Sequence, residues 1–177
     1  MRSTRLVYEM NEERLPHMHG FPVRLLVGGL YGMKNPKWIT RIEPVDNFLG
    51  YWEQGGWSDE AVVKTMAKFT TPVSNAAVRP GQPVTLGGVA YAGSREIRAV
   101  EYSTDDGSTW LPATLKPALG RYTWILWTAA WTPPAPGTYA LKVRAQDGPG
   151  QWQTPQETPT LPDGASGHHR IRLRAQS

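Results

Sequence analysis

The chain of 177 residues contains no cysteine. That absence excludes a disulfide framework and any thiolate metal ligand supplied by this chain, and it leaves the redox compartment open. No run of about 18 apolar residues is present to span a bilayer as a helix. The segment Met1-Arg-Ser-Thr-Arg-Leu-Val-Tyr-Glu-Met10 lacks the apolar stretch of a secretory signal. The expectation from these absences is a soluble chain with no signal or transmembrane segment. Charge is sparse as well: Asp, Glu, Lys and Arg make up 19% of residues, and the net charge of +4 is spread without a dense basic block. Such a balance suits anionic ligands and argues against nucleic acid as a partner. Repeats and low-complexity tracts are also missing.

What is abundant is Gly (18), Pro (16) and Trp (8), which points to a turn-rich, mainly β chain with few long helices. Up to residue 70, short apolar runs alternate with Gly and Pro breaks. Pro22–Val27 reads as a strand, Gly28-Gly29 and Tyr31-Gly32 as loop, and Lys37–Ile42 as a second strand. Between Ser58 and Phe69 a helix-start signature (Ser58, Asp59, Glu60) competes with strand alternation at Val63, Thr65, Ala67 and Phe69, and the extended reading is preferred beyond Val62. After Thr71-Pro72 strands recur between turn signals: Pro83–Tyr91, Ile97–Ser103, Trp110–Leu115, Tyr122–Trp127, Tyr139–Ala145 and Arg170–Ala175. Roughly seven strands over about 100 residues fit an antiparallel sandwich of immunoglobulin size. Residues 1–70 and 71–177 are therefore expected to form separate domains.

One constellation carries chemistry. His19-Gly-Phe-Pro-Val-Arg24 and, eleven residues on, Asn35-Pro36-Lys37-Trp38 combine a guanidinium, an imidazole, an ammonium and a tight loop. Those are the parts that hold a phosphate or similar anion. A second use of the same residues is structural, with His19 beside a strand, Arg24 in solvent and Lys37 lying over Trp38. The remaining candidates are weaker. The pair His17 and His19 lacks a third metal ligand nearby, and His168-His169 reads as a surface pair. Asp105-Asp106-Gly107 lacks the other oxygens of a calcium loop and reads as a turn. Arg170, Arg172 and Arg174 form one solvated strand face, and Trp124, Trp127 and Trp131 suit core packing, a dimer face or a sugar-binding platform.

The motifs Tyr8-Glu-Met-Asn11, Leu15-Pro16, His19-Gly-Phe-Pro-Val-Arg24-Leu, Tyr31-Gly-Met and Lys37-Trp38, in this order, resemble the sulfite oxidase family of molybdopterin-dependent oxidoreductases. The likeness continues through Gly87–Arg95, Val100–Trp110 and Arg144-Ala-Gln-Asp147, which are similar to that family's immunoglobulin-like dimerisation domain. The resemblance implies a mainly β fold: an immunoglobulin-like antiparallel β-sandwich preceded by a partial α+β molybdopterin-binding segment. It implies that His19, Arg24, Asn35, Pro36 and Lys37 contact the molybdopterin cofactor at its phosphate end. It further implies that Arg95 reaches towards an oxyanion substrate, with Arg98 as the fallback.

The family's metal is also held by a cysteine upstream of anything present here. The expectation is then the C-terminal portion of an enzyme, as a fragment or a split-gene subunit whose partner supplies the missing N-terminal half, inactive alone. Gly28 stands where the family commonly has Pro, and the stretch Asp163-Gly-Ala-Ser-Gly-His-His-Arg170 is closer in style to bacterial relatives. Intact relatives are often periplasmic or membrane-anchored. Expected partners are a second copy through the sandwich domain and an electron acceptor such as a cytochrome. The alternative is a non-enzymatic sandwich that dimerises or docks a partner.

Overall fold

A computed structural model describes residues 3–176, and the chain packs as two compact units, one of residues 1–63 and 159–165, the other of residues 64–158 and 166–177. Strands dominate the second unit, and the first holds four short strands among turns and loops, in line with the expected mainly β class. Among the described residues no helix is long and apolar enough to cross a membrane.

In the first unit β1 (Thr4–Val7) pairs antiparallel with β4 (Arg24–Val27), Val7 opposite Arg24, and the short β2 (Glu9–Met10) and β3 (Glu13–Arg14) form a hairpin between them. Single 3₁₀ turns lie at His17–His19 and Gly32–Lys34, and α1 is one turn, Tyr51–Gln54. The helix-start signature at Ser58 is not used: α1 lies before it, and the chain is extended beyond Val62, where Val63 donates its N–H to Gly29 O. Lys37–Ile42 is not a strand either. Trp38 adopts a left-handed backbone (φ 55°), which breaks the alternation and turns its indole Nε1 onto His17 O at 3.0 Å.

The second unit is a sandwich. Its four-stranded sheet runs β10 (Thr114–Leu115), β11 (Ile125–Trp131), β7 (Val84–Tyr91), β5 (Met66–Thr71). The five-stranded sheet runs β6 (Ala77–Val78), β13 (His169–Ala175), β12 (Gly137–Asp147), β8 (Ile97–Ser103), β9 (Leu111–Pro112). All pairings are antiparallel except β13 with β6. Alternation explains which face is buried: Leu141, Val143 and Ala145 of β12 and Ile171 and Leu173 of β13 point inward, while Arg170, Arg172 and Arg174 stay exposed as expected. They meet Ala67, Phe69, Leu86, Ala90 and Trp127 from the opposite sheet.

The run expected as one strand over Trp110–Leu115 divides. β9 pairs with β8 and β10 with β11, so the chain changes sheets at Ala113, whose N–H bonds to Val100 O. The strand expected from Tyr122 begins at Ile125, because Gly120–Thr123 close a turn on the Thr123 hydroxyl. Gly88 is required by close approach: a Cβ there would lie 1.9 Å from Lys68 O of the neighbouring strand. Of the three clustered tryptophans, Trp127 is buried, Trp131 packs edge-on against Tyr139 at 4.9 Å, and Trp124 is 56% exposed.

Candidate functional site

Backbone bonds in the first unit bring together the two halves of the expected anion grip. The 3₁₀ turn at His17–His19 ends at Gly20, whose φ of 110° favours glycine. The segment after Asn35 returns along β4, with Leu25 N–H on Pro36 O and Ile39 N–H on Val23 O, both 3.0 Å. Lys37 thereby faces Arg24 across Gly20, where a Cβ would sit 3.0 Å from Arg24 Cβ and 3.1 Å from Lys37 Cβ.

Both cations donate to carbonyl oxygens: Arg24 Nη1 to His19 O at 3.1 Å and Lys37 Nζ to Met18 O at 2.8 Å. Neither pairs with a carboxylate among the described residues, so their charge is not locally neutralised. Arg24 Nε is buried with no hydrogen-bond partner, an orphan donor of the kind a bound anion satisfies. The ammonium of Lys37 lies 5.3 Å from the Trp38 ring centroid, as the structural alternative had it, but Arg24 is half-buried instead of projecting into solvent. The His19 side chain is exposed, and its backbone is engaged on both sides, the N–H on Pro16 O at 2.9 Å and the carbonyl by Arg24.

Asn35 and Pro36 build the loop. Asn35 Oδ1 accepts from Val27 N–H at 2.5 Å and its Nδ2 donates to Tyr31 O at 3.2 Å, so the amide side chain is committed to holding the loop against β4. With Lys37, these two residues line a cavity of about 730 Å³ whose other walls include Tyr31, Trp38, Trp52 and Trp57. Sequence reasoning missed Trp52 and Trp57, which meet edge to face at 6.3 Å. The tryptophans that cluster in sequence drew attention to the sandwich, and the signal that was available lay in two indoles flanking a Gly-Gly pair. Their loop is anchored by Lys34, which bonds Glu53 and reaches Asp59 at 2.9 Å. Burial opposes the Lys34 charge, but the bonds and charges of Glu53 and Asp59 outweigh it and hold the ammonium above the usual lysine range; Lys34 in turn holds the Glu53 carboxyl below its own. Gly164 (φ 87°) closes against Tyr31, whose hydroxyl would lie 2.4 Å from a Cβ there. An aromatic cavity beside two unneutralised cations fits a ligand with a planar body and an anionic tail.

In the second unit Arg95 closes the 3₁₀ turn Gly93–Arg95. Its Nε donates to Asp147 Oδ2 and its Nη2 to Thr65 Oγ1, both at 3.0 Å. Asp147 is 2% exposed and its other oxygen accepts from Gln151 N–H at 2.8 Å, so the guanidinium is anchored to a fixed carboxylate. Arg98 projects from β8 as an exposed side chain.

The His168-His169 pair departs from the surface reading. His168 Nε2 lies 3.0 Å from Gln153 O, His169 Nδ1 accepts from Phe69 N–H at 3.3 Å, and burial lowers the proton affinity of both. Asp105 does form a turn as expected, accepting from Ser103 Oγ, Thr109 N–H and Thr109 Oγ1. The Thr109 amide first, with the two hydroxyls, holds its carboxyl well below the usual range.

Residues 1–52 match the family model of the oxidoreductase molybdopterin binding domain, and residues 66–143 that of a bacterial Ig domain. The chain is 34% identical over 151 residues to the mitochondrial sulfite oxidase of Drosophila melanogaster, covering 70% of this chain and 26% of that protein. It is 34% identical over 145 residues to the sulfite oxidase of Gallus gallus, covering 69% of this chain and 31% of that one. The sulfane dehydrogenase SoxCD from Paracoccus pantotrophus shares its fold, with a TM-score of 0.80 over 99% of this chain and 51% of that one at 20% identity. The chain thus spans 26% and 31% of the length of the two sulfite oxidases it matches.

Proposed function

Because the chain belongs to the sulfite oxidase family of molybdopterin-dependent oxidoreductases, we propose that it supplies the phosphate end of the molybdopterin site in an enzyme acting on a small oxyanion such as sulfite. When bound, the cofactor supplies two-electron oxygen-atom transfer. Arg24 directs its guanidinium, including the orphan Nε, at phosphate oxygens, and Lys37 adds a second positive charge. His19 offers a hydrogen bond from the exposed side of the turn, and Asn35 and Pro36 fix the loop that carries Lys37. Trp38 and Trp52 shield the planar part of the ligand from water. Arg95, anchored by Asp147, offers a cation to the substrate oxyanion, with Arg98 as the alternative. A chain without cysteine contributes no thiolate to the metal, so the isolated chain is expected to be inactive until a partner carrying the N-terminal half completes the site.

The observation that carries this reading is the buried, unpartnered Arg24 Nε beside Lys37 across Gly20. Co-purification with a cysteine-bearing N-terminal half, followed by molybdenum and pterin determination, tests it. Arg24→Ala is expected to lower retained pterin by about tenfold or more, as loss of a charge-assisted phosphate contact does, while Arg98→Ala leaves it unchanged. Equal retention by the two variants rejects the phosphate assignment, and a complex lacking both metal and pterin rejects the shared site.

A further inference from the structure

We propose that the outer face of the five-stranded sheet carries a second anion site, centred on Arg144 and Lys142, that takes a small organic acid through its carboxylate. It rests on residues the pterin reading does not use. A cavity of about 560 Å³ opens there, lined by Trp110, Trp152, His168, Asp106 and the two cations. Arg144 Cζ lies 4.2 Å from the Trp110 ring centroid and 4.3 Å from that of Trp152. Two rings at that distance cannot share one face of a guanidinium, so Arg144 is held between them. Its Nε and Nη2 both donate to Glu101 Oε2, at 2.9 and 2.6 Å. Nη1 has no acceptor among the described residues and is not buried.

This is a pre-organised fork. Stacking removes water from both faces and Glu101 fixes the in-plane rotation, so the remaining N–H edge meets a two-oxygen acceptor at little further entropic cost. Lys142 precedes Arg144 by two positions on β12 and so projects from the same face. Asp106 Oδ1 orients it at 3.2 Å and also binds Arg170 Nε at 2.9 Å. With Glu101, two carboxylates face the three cations Lys142, Arg144 and Arg170, which leaves a local positive surplus. Gly107 lies in the cavity wall with a left-handed backbone (φ 96°) that favours glycine. The cavity has room for an organic body behind the charged head.

Calorimetric titration of the full chain with citrate and with sulfate, against sodium chloride of matched ionic strength, tests the proposal. Saturable citrate binding is expected, weakened about tenfold in Arg144→Lys, which keeps the charge and loses the fork. Lys142→Gln should also weaken it while leaving the Arg144 stack intact, and Arg172→Gln, exposed on the neighbouring strand, should not. Thermal melting of each variant confirms that it is folded. Tighter binding of citrate than of sulfate supports an organic acid, and binding of sulfate alone overturns that class. Citrate binding unchanged in both Arg144→Lys and Lys142→Gln, or absent above the chloride control, overturns the site.

Discussion

Gln153 is 6% exposed, yet both ends of its side-chain amide are engaged: Oε1 accepts from Ala67 N–H at 2.9 Å and Ala145 N–H at 3.2 Å, and Nε2 donates to Gly167 O at 2.7 Å. Ala67 and Ala145 lie in opposite sheets, so one side chain joins both halves of the sandwich. Gln153→Leu keeps the volume and leaves these groups unpaired. Each buried orphan costs about 1–3 kcal/mol, and a loss of about 2–4 kcal/mol is expected in urea denaturation; a loss below about 0.5 kcal/mol would contradict the role. Nothing in the sequence around Gln153 marks it, because its partners are distant backbone groups. Asn35 teaches the same lesson in the candidate site. Its residue type suited an anion loop, but its amide is consumed by Val27 and Tyr31. Arg24 and Lys37 could be singled out in the sequence because they stand beside an apolar strand and a tight loop, whereas the contribution of Gly20 depends on what lies opposite it.

At the scale of elements, alternation located β7, β8, β12 and β13 to within a few residues, since each has one face in the core and one in water. It did not reveal that the run from Trp110 to Leu115 changes sheets, nor that Trp38 interrupts the run after Lys37, because pairing partners and backbone reversals are set by neighbours distant in sequence. The contact of β13 with β5 has a pH consequence. Burial disfavours the protonated rings of His168 and His169, and His169 Nδ1 must stay unprotonated to accept from Phe69 N–H. Folded-state proton affinity is thus below that of the unfolded chain. The associated stability is fully present above the ordinary histidine value of 6.5 and is lost as pH falls through the lowered folded values. Urea midpoints measured at about pH 7.5 and about pH 5.5 should fall with acidification, and His169→Gln should shrink the difference. An unchanged difference in the variant would show that His169 is not a source of it.

For the whole molecule, the comparisons and the fold agree on the family, and the remaining question is assembly. On the outer face of the four-stranded sheet Leu126 is 48% exposed beside Thr128 and Ala130, and Trp124, 56% exposed, stacks on Tyr91 at 6.1 Å. Exposed Lys68 and Lys116 border this apolar strip, and an apolar centre with a charged rim suits the second copy expected for the sandwich. Light scattering is expected to give a dimer for the natural chain and a monomer for Leu126→Lys, with unchanged circular dichroism. A dimer that survives the substitution moves the interface elsewhere, and a monomeric natural chain removes it.

The sequence by itself determined the main strands of the sandwich with their inward and outward faces, the lack of a cysteine, and the placing of two cations, Arg24 and Lys37, beside an apolar strand and a tight loop. All of these follow from residue type and short-range period. Only the tertiary structure decided that Gly20 sets Arg24 against Lys37, that Trp52 and Trp57 wall the adjoining cavity, and that Arg144 is held between two indoles. Those facts depend on contacts between residues far apart in the chain, where packing, and not local preference, fixes which groups meet and which polar atoms are left without a partner.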